Sequence, residues 1–172
     1  TRDFTPAGRQ SLPTTRIKPA PEPPGPETPV LRGTAIAAST FEPGEGEISH
    51  AVDGDENTFW HSRWSSDAAQ PPHFLTVDYG REIQIAEVIY VARMDMANGH
   101  VRDYEIYLSR DGQNWGEPAI KGRIPAEADE ERIKLPAPVK ARYLKLVVLN
   151  AQRNQPYATV AELSVVEAPT GQ

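Results

Sequence analysis

Cysteine is absent from this chain of 172 residues, so it needs no disulfide framework, and cysteine usage assigns it no compartment. No apolar run approaches the roughly 20 residues of a bilayer-spanning helix, so a membrane is not an expected partner. No Asn-x-Ser/Thr sequon occurs. No secretory leader is visible and the chain opens on Thr1, which is the expectation for a processed product or a piece of a longer protein. Basic charge is scarce: the net charge is −6. General nucleic-acid binders carry a basic face, so nucleic acid is not an expected partner either, although a local basic pocket is compatible with that balance. Catalytic signatures are missing too. There is no Gly-x-Ser-x-Gly elbow, no His-Glu-x-x-His helix and no phosphate loop. Carboxylates are plentiful, but no spacing isolates the pair that a glycosidase requires.

What is present falls into two polymers. Residues 1–32 hold Pro6, Pro13, Pro19, Pro21, Pro23, Pro24, Pro26 and Pro29 and few large apolar side chains. Such a segment does not offset its ordering entropy. Its stiff Pro-Glu-Pro-Pro-Gly-Pro run predicts a semi-rigid spacer, with a few of its residues packing on the domain. From Gly33 the pattern changes to short apolar runs. Residues 73–79 alternate, and 83–92 are nearly continuous in apolar and β-branched residues. Tyr104, Ile106 and Leu108 share one face, as do Leu144, Leu146 and Val148. A last run over 159–166 carries Val160, Leu163 and Val165. Turn signals at Gly80, Asn98-Gly99, Asp111-Gly112 and Pro136-Ala-Pro138 separate them. No helical apolar stripe of useful length occurs. The expectation is an all-β, antiparallel sandwich or barrel over 33–168, a short tail over 169–172, and function on the loops at its ends.

The richest stretch runs from Ala51 to Trp64. Asp53-Gly-Asp55 followed by Thr58 offers carboxylate, carbonyl and hydroxyl oxygens from one tight turn, the donors that calcium takes in sets of six to eight. Trp60, His61, Arg63 and Trp64 follow at once. A pyranose presents hydroxyls at its rim and C–H groups on one face. Planar donors with an aromatic ring beneath suit it.

These residues belong to an ordered series: Ala51-x-Asp-Gly-Asp-x-x-Thr-Phe-Trp-His-Ser62, Pro72-His-Phe-Leu-Thr-Val-Asp78, Tyr90-Val-Ala-Arg93 with Asn98-Gly99, Tyr104-Glu-Ile-Tyr-Leu-Ser-Arg-Asp-Gly-Gln-Asn-Trp115, Ala141-Arg-Tyr-Leu-Lys-Leu146, and Ala161-Glu-Leu163. The series resembles the discoidin domains, or coagulation factor V/VIII type C domains. Within them it is most similar to the family 32 carbohydrate-binding modules of secreted bacterial glycan-active enzymes. The resemblance implies an eight-stranded jelly-roll sandwich of the galactose-binding type. It implies a structural calcium ion held by the carbonyls of His50, Asp55 and Ala161, the carboxylates of Asp53 and Glu162, and both oxygens of Thr58. It implies a sugar site in which His61 meets an axial hydroxyl, Arg93 forks onto adjacent hydroxyls, Trp64 forms a wall and Tyr157 a stacking platform. Asn154 lies beside Tyr157 in the same loop and is counted with the site. A glutamate completes such sites: Glu42, Glu45 and Glu47 are candidates, and the position of Glu42 after Ser39-Thr-Phe matches the family best. Met94 and Asp95 depart from the usual residues after the arginine and leave the sugar open. Arg63, Arg93 and Arg153 raise an acidic or sulfated glycan as an option.

The expected function is that of a non-catalytic, monomeric module. It would bind galactose-type glycans weakly and target a catalytic domain joined through the N-terminal spacer, in a secreted, cell-surface or periplasmic protein. Trp60 and Trp115 are expected to be packing residues. The alternatives are adhesion to phospholipid or protein, and a structural domain packed on its enzyme.

Overall fold

A computed structural model describes residues 28–170. Most of the spacer expected over 1–32, and the end of the tail, lie outside the described residues. Among the described residues nine strands run β1 (Val30–Leu31), β2 (Thr34–Ala38), β3 (Trp60–His61), β4 (His73–Val91), β5 (Val101–Ser109), β6 (Ile120–Arg123), β7 (Glu130–Ala151), β8 (Thr159–Val160) and β9 (Glu162–Glu167). Short 3-10 turns occur at Ile48–Val52 and Gln152–Asn154, and the described residues contain no α-helix. The antiparallel all-β expectation holds.

Two long strands organise the molecule. β4 and β7 pair antiparallel from His73↔Val148 to Val91↔Glu130, with register breaks between Asp78 and Ile83 and between Ile85 and Glu87. Before the breaks β4 carries β2 on its other side. From Ile85 onward it carries β9, with β1 beyond. β5 pairs with the second half of β7, and β6 extends it. Each long strand therefore serves two layers, and the change of partners at the bulges folds one sheet onto itself.

The alternation read from the sequence points inward as expected. Leu75, Val77, Ile85, Val88, Ile106, Leu144, Leu146, Val148, Leu163 and Val165 form one core with Trp60. Burying each large apolar side chain contributes about 1.5–3 kcal/mol. Trp60 is fully buried, and its indole N–H donates to the Thr40 carbonyl at 3.0 Å. It is the packing residue expected. Trp115 is only half-buried and lies on an outer face.

The expected last strand is broken in two. Val160 and Leu163 are both fully buried yet three residues apart, which a straight strand cannot deliver to one face. The chain turns at Ala161, whose amide donates to the Val91 carbonyl at 2.9 Å. β8 then pairs with β3 in a small second sheet while β9 joins the large one. This break, with the two-residue strands β1 and β3, accounts for a count of nine rather than eight. Two residues of the expected spacer pack on the domain. Val30 and Leu31 pair with Val166 and Val165, so the first residues after the proline run belong to the sandwich.

Candidate functional site

The loops after β3, β4 and β7 meet at one end of the sandwich. There Glu45, His61, Trp64, Arg93, Met96, Asn98 and Tyr157 line a cleft of about 280 Å³. His61 is placed by strand pairing: it sits opposite Thr159 in the small sheet. Its ring lies 5.4 Å from that of Tyr157 and 6.4 Å from that of Trp64, centroid to centroid. Gly46 packs directly against it, and a Cβ there would lie 2.5 Å from the His61 Cβ, so only glycine fits.

The protonation of His61 follows from its partner. Nδ1 lies 2.6 Å from the Ser62 carbonyl oxygen, which only accepts, so Nδ1 carries the proton. Burial pushes the ring below the usual histidine range, and the neighbouring Arg93 charge adds to that. The neutral ring leaves Nε2 as an acceptor without a protein partner among the described residues.

Arg93 is buried too, at 5 % exposure. Its Cζ stacks 3.9 Å from the Phe59 ring centroid. Nε and Nη2 fork onto the Asp95 carboxylate at 2.6 and 2.9 Å, and this guanidinium holds Asp95 below the usual carboxylate range. His100 Nε2 lies 2.7 Å from the Arg93 carbonyl and so donates to it. These contacts fix the guanidinium and leave Nη1 without a protein partner among the described residues. Glu45 completes the rim: it accepts the Trp64 indole N–H at 3.2 Å and lies 3.9 Å from Arg93 Nη2. With Asp95 and Glu45 both facing it, Arg93 gives the cleft no net positive charge.

A second cluster lies in the loop between Val52 and Phe59. Gly54 has φ +82, a conformation that side chains resist. Its amide donates to Glu162 Oε1 at 2.7 Å, while Arg32 Nε donates to Oε2 at 3.0 Å. Thr58 Oγ1 stands 2.6 Å from Asp53 Oδ2 and 3.0 Å from the Asp55 carbonyl. One hydroxyl proton cannot serve both. Burial opposes ionisation of Asp53, but hydrogen bonds from Thr58 and the Asp55 amide outweigh it and lower its carboxyl. Burial raises Glu162 despite Arg32 and the Gly54 amide, and its closeness to Asp53 adds to the rise. The loop thus gathers more acceptor oxygens than protons to bridge them, which is the donor chemistry of a hard cation. Among the described residues no group of three or more His, Cys, Asp or Glu side chains is placed to hold a metal. The expected set contains only two such side chains and takes its other oxygens from the backbone and Thr58.

Residues 35–163 match the family model of the F5/8 type C domain. The chain belongs to that family. This F5/8 type C domain is 41% identical over 122 residues to a sialidase of Micromonospora viridifaciens, a match covering 70% of the chain and 19% of the sialidase. It thus spans about a fifth of the relative. Among solved structures it is similar to the family 32 carbohydrate-binding module CBM32-3 from a family 31 glycoside hydrolase of Clostridium perfringens, with TM-score 0.74, 28% identity, and coverage of 81% of this chain and 95% of that one. A further family 32 module from that organism, solved in complex with GalNAc-β-1,3-galactose, matches at TM-score 0.70 and 29% identity, covering 76% and 92%.

Of the residues singled out in the sequence, the cleft of this F5/8 type C domain brings together His61, Trp64, Arg93 and Tyr157. Glu42 lies elsewhere. Its carboxylate accepts the amides of Trp64 and Ser65 at 2.9 and 3.1 Å and the Ser65 hydroxyl at 2.5 Å, and the Ser65 hydroxyl then the Trp64 amide hold it below its usual range. It positions the Trp64 loop, and Glu45 is the glutamate in the cleft. Asn154 is also outside the lining. Its side-chain oxygen accepts from Arg102 Nη1 at 3.0 Å. Arg63 and Arg153 do not line the cleft either. Met96 and Asn98 line it without having been counted among the expected site residues. Asn98 carries a turn signal, which is also its backbone role: its carbonyl accepts the Thr159 hydroxyl at 2.8 Å.

Proposed function

We propose that this domain is a non-catalytic carbohydrate-binding module whose cleft takes a neutral galactose-type residue. The observation that carries the reading is a neutral, buried His61 acceptor beside the Trp64 and Tyr157 rings in the same cleft as an immobilised Arg93 donor. Hydroxyls of a sugar rim would donate to His61 Nε2 and accept from Arg93 Nη1, and the C–H face would rest on an aromatic ring. The carboxylates of Asp95 and Glu45 disfavour an acidic or sulfated residue at this point. The complex of a similar module with GalNAc-β-1,3-galactose supports the sugar class. Affinity should be about millimolar to high micromolar, roughly −4 to −6 kcal/mol, and becomes useful through tethering. Isothermal titration with galactose and glucose tests this. Galactose binding that is lost in His61→Ala and absent for glucose is expected; equal binding of both sugars would overturn the assignment.

The same reading includes a structural calcium ion in the loop, held by Asp53, Glu162, Thr58 and the carbonyls of His50, Asp55 and Ala161. When bound it supplies charge that ties the early loop to the start of β9. The parent would be a larger secreted or surface glycan-active enzyme with its catalytic domain before the proline spacer, and the module a monomer within it.

Exposed Trp64, Met94 and Met96 favour one second reading, insertion into a lipid surface. Glu45 and Asp95 stand among them and oppose anionic headgroups. No helix of the described residues is long and apolar enough to cross a membrane. Co-sedimentation with anionic vesicles, if observed, would favour this reading.

A further inference from the structure

A second concave surface lies outside the loop cleft, on the outer face of the layer formed by the first half of β4, the second half of β7 and β5. Pro72, Phe74, Tyr107, Trp115, Lys145 and Val147 line about 290 Å³ there, slightly more than the first cleft. The strand registers explain the assembly. Phe74 pairs with Val147, and Lys145 pairs with Tyr107, so these side chains alternate outward while Leu75, Leu146 and Ile106 fill the core. Trp115, from the turn after β5, folds over this face.

Lys145 is the unusual member. Its Nζ stands 4.2 Å from the Trp115 ring centroid and 5.6 Å from that of Phe74. The neighbouring cations have carboxylate partners: Lys140 pairs with Glu82 and Arg142 with Asp78. Lys145 has none within 4.0 Å among the described residues, so an ammonium beside two aromatic rings lacks a paired anion. Beside it the Tyr107 hydroxyl donates to Glu105 at 2.7 Å, leaving an oxygen rim next to the rings.

We propose that this surface is a second saccharide site, for a sugar residue that bears a carboxylate. The C–H face of the pyranose would lie on the aromatic side chains, the carboxylate would meet Lys145, and hydroxyls would reach the Tyr107–Glu105 rim. The two sites differ in how the cation is held: Arg93 forks onto Asp95, whereas Lys145 has no carboxylate within 4.0 Å among the described residues and the rim carboxylate of Glu105 is engaged by the Tyr107 hydroxyl. They adjoin across one loop. His73 backs this surface and its Nε2 donates to the Pro156 carbonyl at 2.6 Å, next to Tyr157 of the first cleft.

The three tryptophans report separately by the indole N–H resonances of ¹⁵N-labelled protein: Trp60 in the core, Trp64 in the first cleft, Trp115 here. Trigalacturonate should shift the Trp115 signal with half-saturation at about 1–10 mM, and lactose should not. The shift should persist in Arg93→Ala, weaken with added salt, and fall at least tenfold in apparent affinity in Lys145→Met, with an unmoved Trp60 signal showing that the fold is kept. A Trp115 signal unmoved by trigalacturonate, moved equally by lactose, or moved as strongly in Lys145→Met overturns the site. The lactose response of Trp64 tests the galactose cleft independently.

Discussion

Glu162 Oε1 accepts the amide of Gly54 at 2.7 Å, joining residues 108 positions apart. The contact ties the first residue of β9 to the loop before β3. The same carboxylate takes Arg32 from the β1–β2 junction, so three separate parts of the chain converge on one buried acid.

A calcium ion at this point would stabilise the folded state alone. At free calcium a hundredfold above its dissociation constant the gain is about 2.7 kcal/mol. Scanning calorimetry should therefore show a higher melting temperature with calcium than with a chelator. Glu162→Gln should lose that difference. Equal melting curves for the wild type in both conditions would remove the ion from the account.

His61 links binding to pH. Its pKa is depressed by burial, from an ordinary value of 6.5, and Nδ1 already holds a proton. Galactose binding should stay flat from neutral pH down through 6.5 and weaken only in more acidic solution, as Nε2 protonates and ceases to accept. The stability sign is the same. His61 and His73 both have depressed folded pKa values, each chiefly from burial, so their contribution is complete above the unfolded value and is lost as pH falls through the folded one. Titration calorimetry across pH 5 to 8, roughly the histidine range, would reveal an opposite slope if the charged ring binds.

The tryptophans separate stability from binding. Trp60 is fully buried, and Trp60→Ala should cost about 3–5 kcal/mol in denaturant unfolding. Trp64 is 48 % exposed, and Trp64→Ala should stay within about 0.5 kcal/mol of wild type. The same change should weaken galactose binding roughly tenfold, the equivalent of 1.4 kcal/mol. Intact binding in Trp64→Ala would mean that Tyr157 alone carries the stacking.

The two glutamates should behave differently. Glu42→Ala removes the acceptor for two amides and a hydroxyl, so both melting temperature and sugar affinity should fall. Glu45→Gln keeps the size of a rim side chain and should leave melting unchanged while altering affinity. If Glu42→Ala binds like wild type, the Trp64 loop does not need its clamp.

Alternation alone carried much of the architecture. Residues 73–79, 104–108 and 144–148 have one apolar face, and burial of that face leaves a single usable register. The ordered motif series from Ala51 to Leu163 likewise pointed to the family. Tertiary structure decided which residues act together. Pairing of Trp60–His61 with Thr159–Val160 sets His61 beside Tyr157, and no local signal in either segment reports that pairing. Glu42 and Glu45 are three positions apart and chemically alike. Only the folded loop sends one to backbone amides and the other to the Trp64 indole. Lys145 was left beside the Trp115 and Phe74 rings without a carboxylate, because sheet register and loop closure set distances that residue order does not contain. A strand pattern is a property of neighbours in sequence. A binding site is a property of neighbours in space, and in this sandwich they come from loops a hundred residues apart.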